Sequence, residues 1–383
     1  MTSYCTQCSL RQGDPLVQVD DDGICSDCRR DPGDEWSRQR SEAFDRFLAT
    51  TSKAGEYDVL VMLSGGKDSV YALREMLRHN KRVLAFTFMH HAEEDSSSHR
   101  NLLEKVLPRG GFEHVSFMAN DRWSRLMRYA LMSKVEPDAV RSLEKKRALN
   151  LSSHVHLDID ICNVCGAMCL AEAIKTAYRH GIPYVVTGEA PKQIARRANV
   201  YSTLLEQVEI ERELRGEEYH DIVWGDFPER ASRDALPELF SVFEQGGSKY
   251  SEQEIIETLT QEGWLQEGMY AGAHASCSMY ILYWYHAMKH YKVSSYIRTN
   301  AEQVRLGQRS RQETLVGREA LERLLAPFIG IPIEQWDVEG IARMLASKGG
   351  AFAEAAGNIT EVIQEARRLA KRIDLPAQFW TAG

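Results

Sequence analysis

Three groups of residues combine types and spacings that do chemistry. The first is Ser64-Gly65-Gly66-Lys67-Asp68-Ser69. Adjacent glycines let backbone N–H groups approach an anion closely, a following helix adds the partial positive charge of its N-terminus, and the Ser64 and Ser69 hydroxyls supply further donors. The run therefore reads as a pyrophosphate cradle. It lacks the four-residue gap between Gly and Gly-Lys found in loops that serve γ-phosphate transfer. The second group is Cys5-x-x-Cys8, sixteen residues, then Cys25-x-x-Cys28. Four thiolates in two such knuckles satisfy tetrahedral Zn2+ with no open position, which makes a structural site. A reduced, metal-free segment is the alternative, although some thirty mostly polar residues have little else to order them. The third group is Cys162-Asn-Val-Cys165-Gly-Ala-Met-Cys169 at the start of a helix, with Cys277 later. A helix N-terminus lowers a thiol's pKa and favours thiolate for metal or nucleophilic work. Three cysteines with one open coordination place suit a [4Fe–4S] cluster and four suit a closed site, while buried structural thiols remain the plain alternative.

Secondary elements must position these groups. Tyr57 to Leu63 is a short apolar run of strand length that leads straight into the glycine loop, and Val70, Leu73, Met76 and Leu77 follow at helical spacing. Arg82 to Phe88 reads as a second buried strand, His99 to Leu107 as a helix, His114 to Met118 as a third strand, and Arg122 to Asn150 as helical. Ala167 to His180 is helical again and leads into a fourth strand, Tyr184 to Thr187. Short apolar strands alternating with helices predict an α/β fold with a parallel sheet covered on both faces. Beyond about residue 200 the strand pattern stops. Leu236 to Phe243, Glu252 to Gln261, Met279 to Tyr291, Thr314 to Leu325 and about Ile359 to Ile373 read as helices. Asp34 to Thr51 reads as a connecting helix.

Composition narrows the classes. The 383 residues exceed the length of one ordinary domain, and 43% hydrophobic with 27% charged residues is globular rather than collagen-like, mucin-like or disordered. No apolar run approaches a membrane span, and no signal-peptide pattern opens the chain, so a soluble, cytoplasmic protein without membrane partners is expected. In such a compartment eight clustered cysteines read as metal or catalytic thiols rather than disulfides. A net charge of −8 gives no broad surface for acidic ligands, so nucleic acid would need a local basic patch.

The SGGKDS loop after a buried strand resembles the PP-loop of the ATP pyrophosphatases, also called adenine nucleotide α-hydrolases. Over roughly residues 55 to 200 that resemblance implies a Rossmann-like sheet, Mg2+ and ATP as ligands, cleavage between the α and β phosphates, and Lys67 and Asp68 as working members of the loop. It implies an adenine pocket around Phe86 to His90, including Phe88, and a TG dipeptide lining the site, here Thr187-Gly188. Where many members continue with His and paired Asp, this chain reads Glu189-Ala-Pro-Lys192. Glu189 is then the candidate contact for Mg2+ or substrate and Lys192 for phosphate, with a solvated loop as the alternative. The implied organisation is a zinc-binding knuckle at 1–32, a connecting helix at 33–55, the pyrophosphatase domain at 56–200 and a helical C-terminal region at 201–383.

Two subfamilies are similar in different respects. A Cys-x-x-Cys between loop and TG strand, a later lone Cys and an N-terminal two-knuckle zinc site resemble the two-thiouridine-type tRNA thiolases. By that resemblance Cys162, Cys165 and Cys277 would hold a [4Fe–4S] cluster that delivers sulfur, with Cys169 extra. The length, the opening Tyr4 to Cys8 with Asp22 to Cys28, and the tail Ile297 to Arg311 are similar to the N-acetyl sugar amidotransferases, which use ammonia from a partner glutaminase. In both cases ATP adenylates a carbonyl or amide oxygen, releasing pyrophosphate and later AMP. Sulfur insertion on a small molecule is the favoured expectation, since the protein carries its own thiols and an acidic chain repels tRNA. A tRNA bound through the knuckle is the second choice of substrate, and a sulfur donor protein or a glutaminase the expected partner.

Plainer readings apply elsewhere. The stripe Met279, Tyr280, Leu282, Tyr283, Trp284, Tyr285, Met288 reads as a core or subunit-contact helix, which admits a homodimer, rather than a base-stacking surface. His90-His91 and His154-x-His156 lack a metal-ligand frame. Arg305, Arg309 and Arg311 either hold an anionic substrate or form a solvated face.

Overall fold

The computed structural model describes residues 3–29, 33–50, 55–90, 96–147, 161–189, 204–225, 236–244, 251–266, 277, 279–294, 297–305, 307, 309–347 and 350–381. Lys192, His91, His154 and His156 lie outside them. The chain forms two compact units, one of Pro32–Trp123 with Gly166–Cys277, the other of Met1–Asp31, Ser124–Cys165 and Ser278–Gly383. Among the described residues no helix is long and apolar enough to cross a membrane.

The first unit is a Rossmann-like α/β sheet of five parallel strands: β1 (Val59–Met62), β2 (Val83–Met89), β3 (Glu113–Met118), β4 (Tyr184–Thr187) and β5 (Glu238–Ser241). Their order is β3-β2-β1-β4-β5. Sequential strands run outward from β1 to β3, and the chain then returns to place β4 on the other flank of β1. The strand order thus reverses between β1 and β4, and ligands of such sheets bind beyond the carboxyl ends at that reversal. β1 and β2 are almost wholly buried, as both-face coverage by helices requires, whereas edge strand β3 keeps Glu113, Ser116 and Met118 exposed.

β5 corrects the expectation of a helix over Leu236 to Phe243 and of no strand beyond residue 200. Leu239, Phe240 and Ser241 are consecutively buried. A short apolar run covered on both faces has no alternation, so periodicity does not separate it from a buried helical turn. Its partner is the helix Gly33–Ala49, which packs Phe44 and Phe47 into the sheet's core instead of merely joining two parts. Phe47 stacks on Phe240 at 5.7 Å and approaches Tyr184 at 4.5 Å, and Phe44 lies 5.2 Å from Phe240. Lys81 closes that helix by donating to the carbonyls of Phe47, at 2.7 Å, and Thr50. A cation there complements the helix dipole, although burial pushes the Lys81 pKa down.

The helix Ile161–Arg179 precedes β4, and its buried Glu172 and Lys175 form a 2.6 Å ion pair. Arg122 joins them, 2.6 Å from Glu172, and also donates to the carbonyls of Ile222 and Val223 in the helix Glu217–Trp224.

The second unit is helical. The region expected to be helical from Arg122 to Asn150 holds two helices, Asn120–Met132 and Pro137–Arg147, the second opening on Pro137, whose missing N–H costs nothing at that first position. The aromatic stripe forms the helix Tyr280–Tyr291 and is core: Tyr280, Tyr283, Tyr285 and Tyr291 are buried. The Tyr285 hydroxyl donates to the Trp380 carbonyl at 2.9 Å and accepts from Gly330 N at 3.1 Å, and the Tyr291 hydroxyl donates to the Val135 carbonyl. The helix expected from Thr314 begins at Arg311, capped by Ser310, whose hydroxyl accepts from Glu313 N. Among the described residues, the helices of eight or more residues not expected from the sequence are Leu204–Arg215 and the adjoining Glu217–Trp224 in the sheet unit, and Ile297–Arg305 and Val338–Ala346 here.

The aromatic contacts between the helix Gly33–Ala49, β4 and β5 make Phe240 a keystone of the sheet's flank. Phe240→Ala is expected to destabilise the protein by about 3–5 kcal/mol, read from the denaturant midpoint, with the fold retained.

Candidate functional site

The glycine loop leaves β1 at the strand-order reversal, and the helix Lys67–Arg78 starts within it. Leu63 N still pairs with the Phe86 carbonyl, which carries the sheet register to the last residue before the loop. The Ser69 hydroxyl then knits the turn: it accepts from Ser64 N at 3.1 Å, lies 3.1 Å from the Ser64 hydroxyl, and donates to the Gly66 carbonyl at 2.9 Å. Gly65 adopts φ +82°, a conformation that favours glycine. The sequence-marked residues Ser64 to Ser69 therefore form one compact turn at a helix N-terminus.

Thr187 and Gly188 arrive at the same place from β4. A Cβ on Gly188 would lie 2.3 Å from the carbonyl carbon of Asp68 and 2.6 Å from Ser69 N, so the backbone after β4 touches the first turn of the loop's helix. The Thr187 hydroxyl accepts from Glu189 N at 3.1 Å, and the buried Ser241 hydroxyl at the end of β5 donates to the Glu189 carbonyl. These bonds fix the exit of β4 and hold the half-buried Glu189 beside the loop. Lys67 Nζ lies 2.6 Å from the Asp68 carboxylate and 3.3 Å from Glu252, at the N-terminus of the helix Glu252–Gln261. Arriving phosphate oxygens would compete with these carboxylates for Lys67, and a divalent cation carried with them would find Asp68 as a partner. Ser241 and Glu252 were not marked by the sequence, since nothing local distinguishes one serine or glutamate whose partner lies more than fifty residues away.

At the end of β2, Phe88 is buried against Phe117 at 5.9 Å, and buried His90 stacks flat on Trp123, 4.4 Å between ring centres. Both side chains therefore have a packing role. The Thr87 hydroxyl donates to the Leu63 carbonyl at 2.7 Å and lies 2.8 Å from His114 Nε2, and burial pushes the His114 pKa down.

The knuckle brings Cys5, Cys8, Cys25 and Cys28 together, all four sulfurs within 4.8 Å of one another. Cys8 and Cys25 Sγ are 3.6 Å apart and Cys5 and Cys28 Sγ 3.8 Å. Zn–S bonds of about 2.3 Å in a tetrahedron give S···S edges of about 3.8 Å, so the donor set fits zinc in type, number and spacing. Backbone N–H groups of Gln7 and Cys25 point at Cys5 Sγ, that of Leu10 at Cys8 Sγ and that of Cys28 at Cys25 Sγ, as thiolates would want. Hydrogen bonding from Cys25 and Cys8, with Arg305 assisting, pulls the Cys28 thiol down to about 4, whereas bonding to Cys25 and Cys28 pushes Cys8 up.

Arginines from two helices hold this knuckle. Arg298 pairs with buried Asp27 and donates to the Pro15 carbonyl at 2.7 Å, and Arg305 approaches Cys28 Sγ at 3.8 Å. Arg311 donates to the carbonyls of Cys5 and Cys8. Arg318, only 5% exposed, grips Asp14 with two nitrogens at 2.8 and 2.5 Å and bonds the Ser9 carbonyl at 3.0 Å. Burial opposes the Arg318 charge, but Asp14 and Glu322 more than offset it and the pKa rises. Arg305 and Arg311 are thus committed to the knuckle, and Arg309 is exposed.

Of the other cysteines, Cys162, Cys165 and Cys169 share one face of the helix Ile161–Arg179 at spacings of three and four. Cys162 is exposed, Cys165 buried, and Cys169 and Cys277 half-buried, none in a disulfide. Cys162 and Cys165 belong to the helical unit, Cys169 and Cys277 to the sheet unit. Among the described residues, the other group with metal-ligand spacing is Glu217, His220 and Asp221. Arg212 lies 3.4 Å from Glu217 and 2.7 Å from His220, so a cation already serves that group.

The clamp and the sulfur tetrahedron generate one expectation. Metal analysis should find about one zinc per chain, lost in Cys25→Ser; Arg318→Ala, which leaves buried Asp14 with Arg11 alone, should cost about 1–3 kcal/mol of stability with the zinc retained. A metal-free wild-type chain of undiminished stability would contradict it.

No protein-family model matches this chain, and no curated protein matches it. Among solved structures it is similar to the U34-tRNA thiolase NcsA from Methanococcus maripaludis with its [4Fe–4S] cluster, at 14% identity and a TM-score of 0.32 over 84% of this chain and 89% of that one. The likeness is loose, and the functional reading rests on the geometry of this chain's own residues.

Proposed function

We propose that the protein is an ATP-dependent adenylating enzyme of the PP-loop type that inserts sulfur into a small molecule. The observation that carries the first half is the contact of Gly188 with the Asp68–Ser69 backbone, which joins the glycine loop and the TG strand at the strand-order reversal. ATP would lay its β and γ phosphates on the loop amides and Lys67, and Asp68 is the carboxylate that would hold the accompanying Mg2+, which would supply further charge neutralisation. A substrate carbonyl oxygen attacks the α phosphorus, the bond to the bridging oxygen breaks, and pyrophosphate leaves with that electron pair. Lys67 and the helix N-terminus neutralise the charge gathering on the leaving group. The oxygen thereby becomes part of a good leaving group, AMP.

The second half uses the chain's thiols. Cys162, Cys165 and Cys169 stand on one helix face that leads into β4, and Cys162 is exposed enough to receive sulfur from a donor protein. A persulfide on one of these cysteines attacks the adenylated carbon through its terminal sulfur, and AMP departs with the C–O pair. A second thiolate then attacks the cysteine-bound sulfur, freeing the thiocarbonyl product and leaving a disulfide that a thiol reductant reopens. Cys162, Cys165 and Cys277 are the residues that would hold a [4Fe–4S] cluster, which would supply an open iron to carry sulfide in place of the persulfide. The charge of −8 favours a small substrate over tRNA.

The test is a reaction with ATP and candidate amides or nucleobases in the presence of labelled sulfide or labelled ammonium. AMP and pyrophosphate, not ADP, should appear with sulfur in the product. Gly188→Ala should lower pyrophosphate release about a hundredfold, because the added methyl displaces the loop. The double variant Cys162→Ala, Cys165→Ala should keep adenylation and lose sulfur incorporation. Nitrogen incorporation undiminished in that double variant would establish the amidotransferase instead.

A further inference from the structure

The glycine loop is held from outside by a residue that no motif marks. Asn101 is fully buried and ends the regular helix Ser97–Asn101, where the backbone widens into the π-helical stretch Leu102–Val106. Such widened turns recur at functional positions. Its Nδ2 donates to the Gly65 carbonyl at 2.9 Å and to the Trp264 carbonyl at 3.1 Å, while its Oδ1 accepts from Gln266 N at 3.1 Å. The same stretch presses on the loop: a Cβ at Gly65 would lie 2.2 Å from the Ser98 carbonyl oxygen and 2.7 Å from Leu102 Cβ.

The carbonyl of Gly65 and the N–H of Gly66 belong to one peptide unit, and in a trans peptide they point to opposite sides. Drawing the Gly65 oxygen to Asn101 therefore turns Gly66 N–H the other way, toward the Ser64 hydroxyl at 3.4 Å. Between two glycines a peptide flip meets little steric resistance, and it would present a carbonyl oxygen where an anion needs a donor. We infer that Asn101 is a positioning residue of the phosphate loop, locking the Gly65–Gly66 peptide with its N–H facing the bound polyphosphate. This rests on reading the loop as a polyphosphate site. Only a primary amide supplies the pattern. An aspartate would set a carboxylate against two carbonyl oxygens, and an alanine would leave two buried carbonyls and the half-buried Gln266 N–H without their partner.

The test uses the full chain carrying Asn101→Ala or Asn101→Asp, with circular dichroism as the fold check and Asn101→Ser in reserve if either fails to fold. Amide exchange is followed over residues 63–68 without ligand, and calorimetry measures binding of Mg·ATP, inorganic pyrophosphate and adenosine. Faster exchange over 63–68, with ATP and pyrophosphate binding weakened about tenfold or more and adenosine binding unchanged, is the expected result. Equal losses for ATP and adenosine, or unchanged exchange with unchanged ATP affinity, overturn it. A wild-type chain that binds neither ATP nor pyrophosphate overturns the polyphosphate reading and the anion-facing role together, while faster exchange in Asn101→Ala would still identify the lock.

Discussion

Backbone-to-backbone contact at Gly188 is the constraint on which the sheet unit turns. The end of β4 comes so near the Asp68–Ser69 peptide that no side chain fits between them. That closeness follows from strand order. Placing β4 beside β1 brings the exits of two strands to neighbouring positions, and β1 exits into the glycine turn. Everything that fixes either strand also fixes the turn: the aromatic packing of Phe44, Phe47 and Phe240, the Ser241 hydroxyl on the Glu189 carbonyl, and the Lys67–Glu252 pair. The loop's shape is thus a property of the sheet and not of six residues alone.

The helical unit is organised by a different force. Its knuckle has few apolar residues to bury, so four sulfurs and a set of arginines do what a core would do elsewhere. Guanidinium groups suit the task because each offers several donors in a fixed plane, and the knuckle's backbone carbonyls need such partners. Arg311 bridges the carbonyls of Cys5 and Cys8, and Arg318 meets Asp14 in a two-point grip. These charges are spent on architecture, which removes two of the three arginines singled out in the sequence as candidate anion ligands.

Local features were legible in the sequence and distant ones were not. The glycine loop, the two Cys-x-x-Cys pairs and four of the five strands announce themselves within a few residues, since each depends on backbone conformation or ligand spacing over a short span. β5 escaped because a strand covered on both faces loses its alternation. Asn101, Ser241, Glu252 and Arg318 escaped for another reason: each is an ordinary polar residue until its partner, tens to hundreds of positions away, is brought to it. The aromatic helix Tyr280–Tyr291 was legible as buried, but what buries it, among others Trp336, Phe379 and Trp380, was not.

The arginine clamp also orders events during synthesis. Residues 5–28 are made before the helices that hold them, and all four sulfur ligands lie within that short span. Their dock does not yet exist: Arg298, Arg305, Arg311 and Arg318 emerge some three hundred residues later. The whole sheet unit is made in between. The knuckle must therefore wait, tethered and unplaced, until those arginines are made. Contacts of such long sequence separation are slow to form, so the seating of the knuckle follows the synthesis of the whole sheet unit.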